Sequence, residues 1–78
     1  MILSLLIRQG GVNMYYNKLK NIRKEQSLTL EELSEKCGVS AGYLCHLENG
    51  SRAHPSIEVM EKIAKALNKT IFEIFFNQ

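Results

Sequence analysis

The sequence predicts an all-α fold, a compact domain of five short helices, and three observations carry that expectation. Apolar residues recur at three- and four-residue spacing, most clearly at Met60, Ile63, Ala64 and Leu67, the stripe of an amphipathic helix. Helix-start chemistry repeats along the chain. Thr29-Leu30-Glu31-Glu32 and Thr70-Ile71-Phe72-Glu73 read as capping boxes, and Ser40 and Ser56 as N-caps. No strand-like alternation, repeat or low-complexity run stands out.

The elements follow in order. Residues 1–13 read as an apolar arm closed by Gly10-Gly11, and residues 14–78 as the domain. The arm's seven apolar-rich residues are far short of the roughly 20 that a membrane span needs. Its first base, Arg8, follows the apolar run, whereas a secretory signal places bases ahead of it. The expectation is a cytoplasmic protein with no membrane partner. Gly-Gly followed shortly by Met14 also reads as a translated ribosome-binding sequence, so the arm is either a packing segment or an upstream-start extension. The first helix is expected over residues 15–26, with Leu19 and Ile22 inward. The second starts at the Thr29 cap, with Leu28 and Leu33 as a hydrophobic staple, and stops at Gly38. The third, residues 41–49, is capped by Ser40, turns Leu44 and Leu47 inward and stops at Gly50. The fourth follows Pro55-Ser56 and ends near Asn68. The fifth opens at Thr70 with Ile71, Ile74 and Phe75 inward.

Composition excludes more than it identifies. A domain of 78 residues buries roughly 60 to 65% of its unfolded surface, leaving little room for a core and a deep cleft. Paired carboxylates, a nucleophile triad and a phosphate loop are all missing. No enzyme and no cofactor is expected. Ten Lys and Arg against eight Asp and Glu give a net charge of +2, too small to indicate a nucleic-acid partner. Lys18, Lys20, Arg23 and Lys24 crowd one segment and Glu31, Glu32 and Glu35 the next, as solvated helix faces do. Cys37 and Cys45, with His46 and His54, match no common zinc spacing. No metal site is expected, and both thiols read as reduced.

The informative segment is residues 28–50, LTLEELSEKCGVSAGYLCHLENG. Two short helices joined by about three residues around Gly38 fit a helix-turn-helix. The turn is too short for antiparallel packing, so the helices cross steeply and the second projects. Any small helical bundle would also need short turns. The ordered set Leu33, Gly38, Val39-Ser40, Tyr43-Leu44, Glu48-Asn49-Gly50, Pro55-Ser56 and Ala64, Leu67, Asn68 is far more specific. From about Leu19 to Phe75 the chain resembles the phage repressor and Cro family of XRE-like regulators.

The resemblance implies a repressor-like five-helix domain that binds double-stranded operator DNA, usually as a homodimer, with the third helix in the major groove. Ala41, Gly42 and His46 match the family's base-reading positions. Family members often carry long polar side chains at the first two. Here Ala41 can touch a thymine methyl and Gly42 can permit close approach. Direct readout falls mainly on His46, with Tyr43 divided between base contact and core packing. Thr29 and Ser40 at helix N-termini, with Asn49, Ser51 and Arg52, are the expected phosphate contacts. His54, Lys18 and Lys24 are weaker candidates that read equally well as solvated. Arg23 and Glu48 match a structural ion pair of the family. Cys37 matches an apolar turn position. Cys45 reads as a small filler, with a redox thiol near DNA as the other reading.

Phe72 and Phe76 lie four apart in the fifth helix, and Phe72 replaces what is usually an acidic residue in the family. Together with the apolar arm they are expected to supply a dimer interface. The leading function is a sequence-specific DNA-binding transcriptional regulator, a repressor acting on a palindromic operator. The alternative is a protein-interaction module, such as an antitoxin or a partner-sequestering protein, favoured by the short side chains at positions 41 and 42.

Overall fold

Capping chemistry sets the boundaries of the helices. The computed structural model describes residues 17–50 and 55–76. They form four α-helices, α1 (Leu19–Glu25), α2 (Leu30–Cys37), α3 (Ala41–Glu48) and α4 (Ile57–Leu67), followed by a π-helical turn over Phe72–Phe76. The apolar arm, residues 1–13, lies outside the described residues.

At α2 the Thr29 hydroxyl accepts the Glu32 N–H at 3.0 Å, and the Glu32 carboxylate accepts the Thr29 N–H at 2.8 Å. This reciprocal box satisfies two donors that a helix start leaves without partners. Ser40 and Ser56 cap α3 and α4 by accepting the N–H groups of Tyr43 and Val59, each at 3.2 Å. Gly38 ends α2 at φ 77°, a left-handed conformation that suits glycine. Asn68 ends α4 in the same region at φ 57°.

The first helix is shorter than the expected 15–26. Tyr15 and Tyr16 lie outside the described residues, and Asn17 and Lys18 are not helical. The Asn17 side-chain oxygen takes the Leu19 N–H at 3.0 Å, starting α1 there. The Lys18 N–H goes to the carbonyl of Ile74 at 2.8 Å, a tertiary partner that competes with helix extension. The fifth element begins as expected, with Thr70 and Glu73 in a second capping box at 2.8 and 3.1 Å. It then widens into a π-turn. Ile74 and Phe75 are buried, while Ile71, also expected inward, is half-buried.

Every helix contributes to one core. Leu19 and Ile22 come from α1, Leu33 and Cys37 from α2, Leu44 and Leu47 from α3, and the Met60, Ile63, Ala64 and Leu67 stripe from α4. Val39 fills the turn, and Ile74 and Phe75 close the base. Helix α2 packs on both α3 and α4, and α1 packs on α3 and the terminal turn. Thus α3 is held from behind by two helices and presents its remaining face outward.

Candidate nucleic-acid interface

The outward face of α3 is defined by subtraction. Leu44 and Leu47 are fully buried, so residues on the other side of the helical wheel point away from the core. Gly42 and His46, four residues apart, are exposed, and Ala41 is half-buried beside them. Tyr43 is half-buried and packs against the core, which restricts it to the edge of this face. The four residues expected to read bases therefore lie together at the first two turns of α3, with His46 the exposed polar side chain among them.

Potential phosphate ligands flank that face. The Ser40 hydroxyl oxygen is engaged as the cap, and its O–H remains a donor. At a helix start the first N–H groups lack intrahelical acceptors, which for α3 applies to those of Ala41 and Gly42. No acidic residue sits in the first turn of α3, whereas Glu31 and Glu32 occupy that of α2. Electrostatics thus make the Ser40 terminus better suited to a phosphate than the Thr29 terminus. Asn49 is exposed at the far end of α3, its side-chain amide 3.4 Å from the Cys45 sulfur. Ser51 and Arg52, and the weaker candidate His54, lie outside the described residues.

Arg23 holds the site from inside. It is the buried charged residue of α1. Its guanidinium donates to both Glu48 carboxylate oxygens, Nε to Oε2 at 2.5 Å and Nη2 to Oε1 at 3.1 Å. The remaining nitrogen, Nη1, donates to the Leu28 carbonyl at 2.6 Å. One side chain therefore ties α1 to the end of α3 and to the loop ahead of α2. The bond to Glu48 raises the Arg23 pKa above its already high ordinary value, against the opposing effect of burial. The guanidinium is a permanent charge.

Two contacts with no local sequence signal complete the support. The Asn17 amide donates to the Leu47 carbonyl at 3.0 Å, satisfying an end of α3. The Gln26 amide donates to the Leu67 carbonyl at 2.8 Å, satisfying an end of α4. Asn is a favoured cap residue, and that preference was the one available hint at position 17. Cys37 is buried and Cys45 half-buried. No group of three His, Cys, Asp or Glu among the described residues is placed to hold a metal ion. No described helix is long and apolar enough to cross a membrane.

Two short packed helices joined around a left-handed glycine, with the second exposed along one side, form a helix-turn-helix. The sequence model of the helix-turn-helix family matches residues 19–74, and the chain belongs to that family. It is 36% identical over 58 residues to the HTH-type transcriptional regulator SinR of Bacillus subtilis, covering 74% of this chain and 52% of SinR. It is 42% identical over 50 residues to an immunity repressor protein of Bacillus phage phi105, covering 64% of this chain and 34% of that protein. An uncharacterized HTH-type transcriptional regulator of Methanocaldococcus jannaschii is 41% identical over 59 residues, with 76% of this chain and 88% of that protein covered. The chain spans about half the length of SinR.

Proposed function

We propose that this protein is a sequence-specific DNA-binding transcriptional repressor that places α3 in the major groove. The observation that carries the reading is the face of exposed Gly42 and His46, with half-buried Ala41 beside them, on a helix whose opposite side is buried against α1 and α2. A B-DNA major groove admits an α-helix and presents a distinct pattern at each base pair. His46 reads a base edge, and the α3 N-terminus with Ser40, Asn49, Ser51 and Arg52 positions the helix on phosphates. Thr29 makes a lesser phosphate contact beside its two glutamates. Relatives named as transcriptional regulators and as a repressor support the same reading.

The protein binds as a homodimer on a palindromic site, with half-sites about 34 Å apart. The support for self-association is Phe72, a large apolar side chain that is 72% exposed. Its ring stacks at a tilt on that of Phe76, with centroids 5.7 Å apart. Selection of duplexes from a random pool, followed by footprinting at low salt, tests both parts. A two-fold symmetric footprint is expected. Asymmetric protection removes the dimer, and failure to select any sequence removes sequence-specific binding.

A second reading is a protein-interaction module such as an antitoxin. The short side chains of Ala41 and Gly42 favour it, since neither can form a bidentate pair with a base. It predicts weak DNA binding with no preferred sequence at any salt concentration, in contrast to specific sites rising above a salt-steep background.

A further inference from the structure

We propose that Gly42 is a specificity-determining residue, the point at which a base-pair edge comes directly against the backbone of α3. The inference rests on reading α3 as the recognition helix. Gly38 and Gly50 are explained by the chain itself, since their φ angles of 77° and 72° are ones that other residues rarely adopt. Gly42 has no such reason. It lies within a regular helix and is not among the residues with positive φ. Glycine is the poorest helix former after proline. Packing among the described residues does not call for it either, because a Cβ built at position 42 meets no atom within 4 Å beyond its chain neighbours and the adjacent backbone of its own helix. Capping does not call for it, because Ser40 fills that role. The fold would accept alanine at this position and gain from it.

The space left open is therefore not accounted for by the described residues, and we assign it to a ligand. Around it stand the Ala41 methyl on one side and His46 one helical turn further on. The N–H groups of Ala41 and Gly42 belong to the helix start and lack intrahelical acceptors. The surface is bare backbone beside the donors of the helix start, set between a methyl group and an imidazole. Major-groove edges carry matching acceptors: guanine N7 and O6, adenine N7, and thymine O4 beside its methyl. Such an edge can lie against this backbone as long as no Cβ intervenes. An added methyl would lift α3 out of the groove and carry His46 away from its base.

The test uses the full chain and Gly42→Ala, with two measurements. Thermal unfolding without DNA reads the fold, and titration at one salt concentration reads binding to the duplex selected by the parent and to a scrambled duplex. Gly42→Ala is expected to melt about 2 to 5 °C higher. It should bind the selected duplex at least ~10-fold more weakly, the range of one lost base contact, and the scrambled duplex unchanged. Unaltered affinity for the selected duplex overturns the role of Gly42 and leaves DNA binding standing. A lower melting temperature also overturns it, since a contact within the protein would then require the glycine. Equal weakening on both duplexes assigns Gly42 to phosphate and removes its part in specificity. If the parent itself selects no sequence, the recognition-helix reading fails first and this inference with it.

Discussion

Arg23 shows how one side chain can govern a site that it does not enter. Its three donated bonds end on Glu48 and on the Leu28 carbonyl, at the two ends of the helix-turn-helix. Such a pair adds little net stability over an apolar replacement, because both charges lose their hydration. Removing one partner is different, since the other stays buried and uncompensated. Arg23→Ala is expected to lose about 3 to 5 kcal/mol, a large part of what a domain of this size has, read as a lower denaturation midpoint. An unchanged midpoint would remove the structural role assigned to the pair. DNA affinity should fall with the folded fraction and no further. In the proposed complex, His46 and Arg52 divide the other work. His46→Ala should cost about 1 to 3 kcal/mol at one base position and relax preference there. Arg52→Ala should weaken all sequences alike and flatten the salt slope by roughly one unit. Affinity arrays on single-base variants at two salt concentrations separate these outcomes.

At the scale of the element, the caps matter because each helix is short. With seven or eight residues, α1, α2 and α3 are too short to persist alone, so their ends need partners from side chains. Thr29→Ala removes one half of the α2 box and should cost about 1 kcal/mol, visible as a shifted urea midpoint with an unchanged slope. The second box adds a pH response. The Thr70 N–H bonded to Glu73 holds that carboxyl below its usual range, with smaller contributions in the same direction from the Thr70 hydroxyl and Lys69. A depressed carboxyl contributes stability above its unfolded pKa and loses it as pH falls through the lower folded value. Acidification from the ordinary carboxylate range downward should therefore fray the terminal turn, seen as a lower protection factor of the Thr70 amide relative to the unfolded rate at the same pH. Glu73→Gln should abolish that pH dependence. If the amide of the variant still titrates in the same window, another group is responsible.

For the whole molecule, the proposed homodimer turns on Phe72 and Phe76. Phe72 and Phe76 touch, but they are not equivalent. Phe72 is exposed, while Phe76 is half-buried against the core. A charge at Phe76 would damage the monomer, so Phe72→Glu alone is the cleaner test of the proposed interface. Burying one Phe side chain contributes about 1.5 to 3 kcal/mol, enough to shift a weak dimer. Phe72→Glu should sediment as a monomer at concentrations where the parent dimerises, with its helical circular dichroism intact. A dimer of undiminished strength would place the interface elsewhere. Among the described residues, Ile57, at the start of α4 and 61% exposed, is the other exposed large apolar side chain.

What could be read from the sequence is what acts over three or four residues. The Thr29 and Thr70 boxes, the Ser40 and Ser56 caps, the Gly38 turn and the α4 stripe each depend on near neighbours, so their chemistry is visible in the chain order. From these come the starts of α2, α3, α4 and the terminal turn, whereas the base-facing positions of α3 come from the family resemblance. The Arg23–Glu48 pair was legible solely through family resemblance, because its partners are 25 residues apart. The Asn17 bond to Leu47 and the Gln26 bond to Leu67 span 30 and 41 residues and have no local signature. The same holds for the start of α1, where the Ile74 carbonyl takes the Lys18 N–H. It holds too for the split between Phe72 and Phe76, which share a face by spacing but differ in what lies beneath them. Periodicity specifies which side of a helix is apolar. Where two such sides meet, and which polar groups are trapped at the seam, follows from packing one element against another in three dimensions.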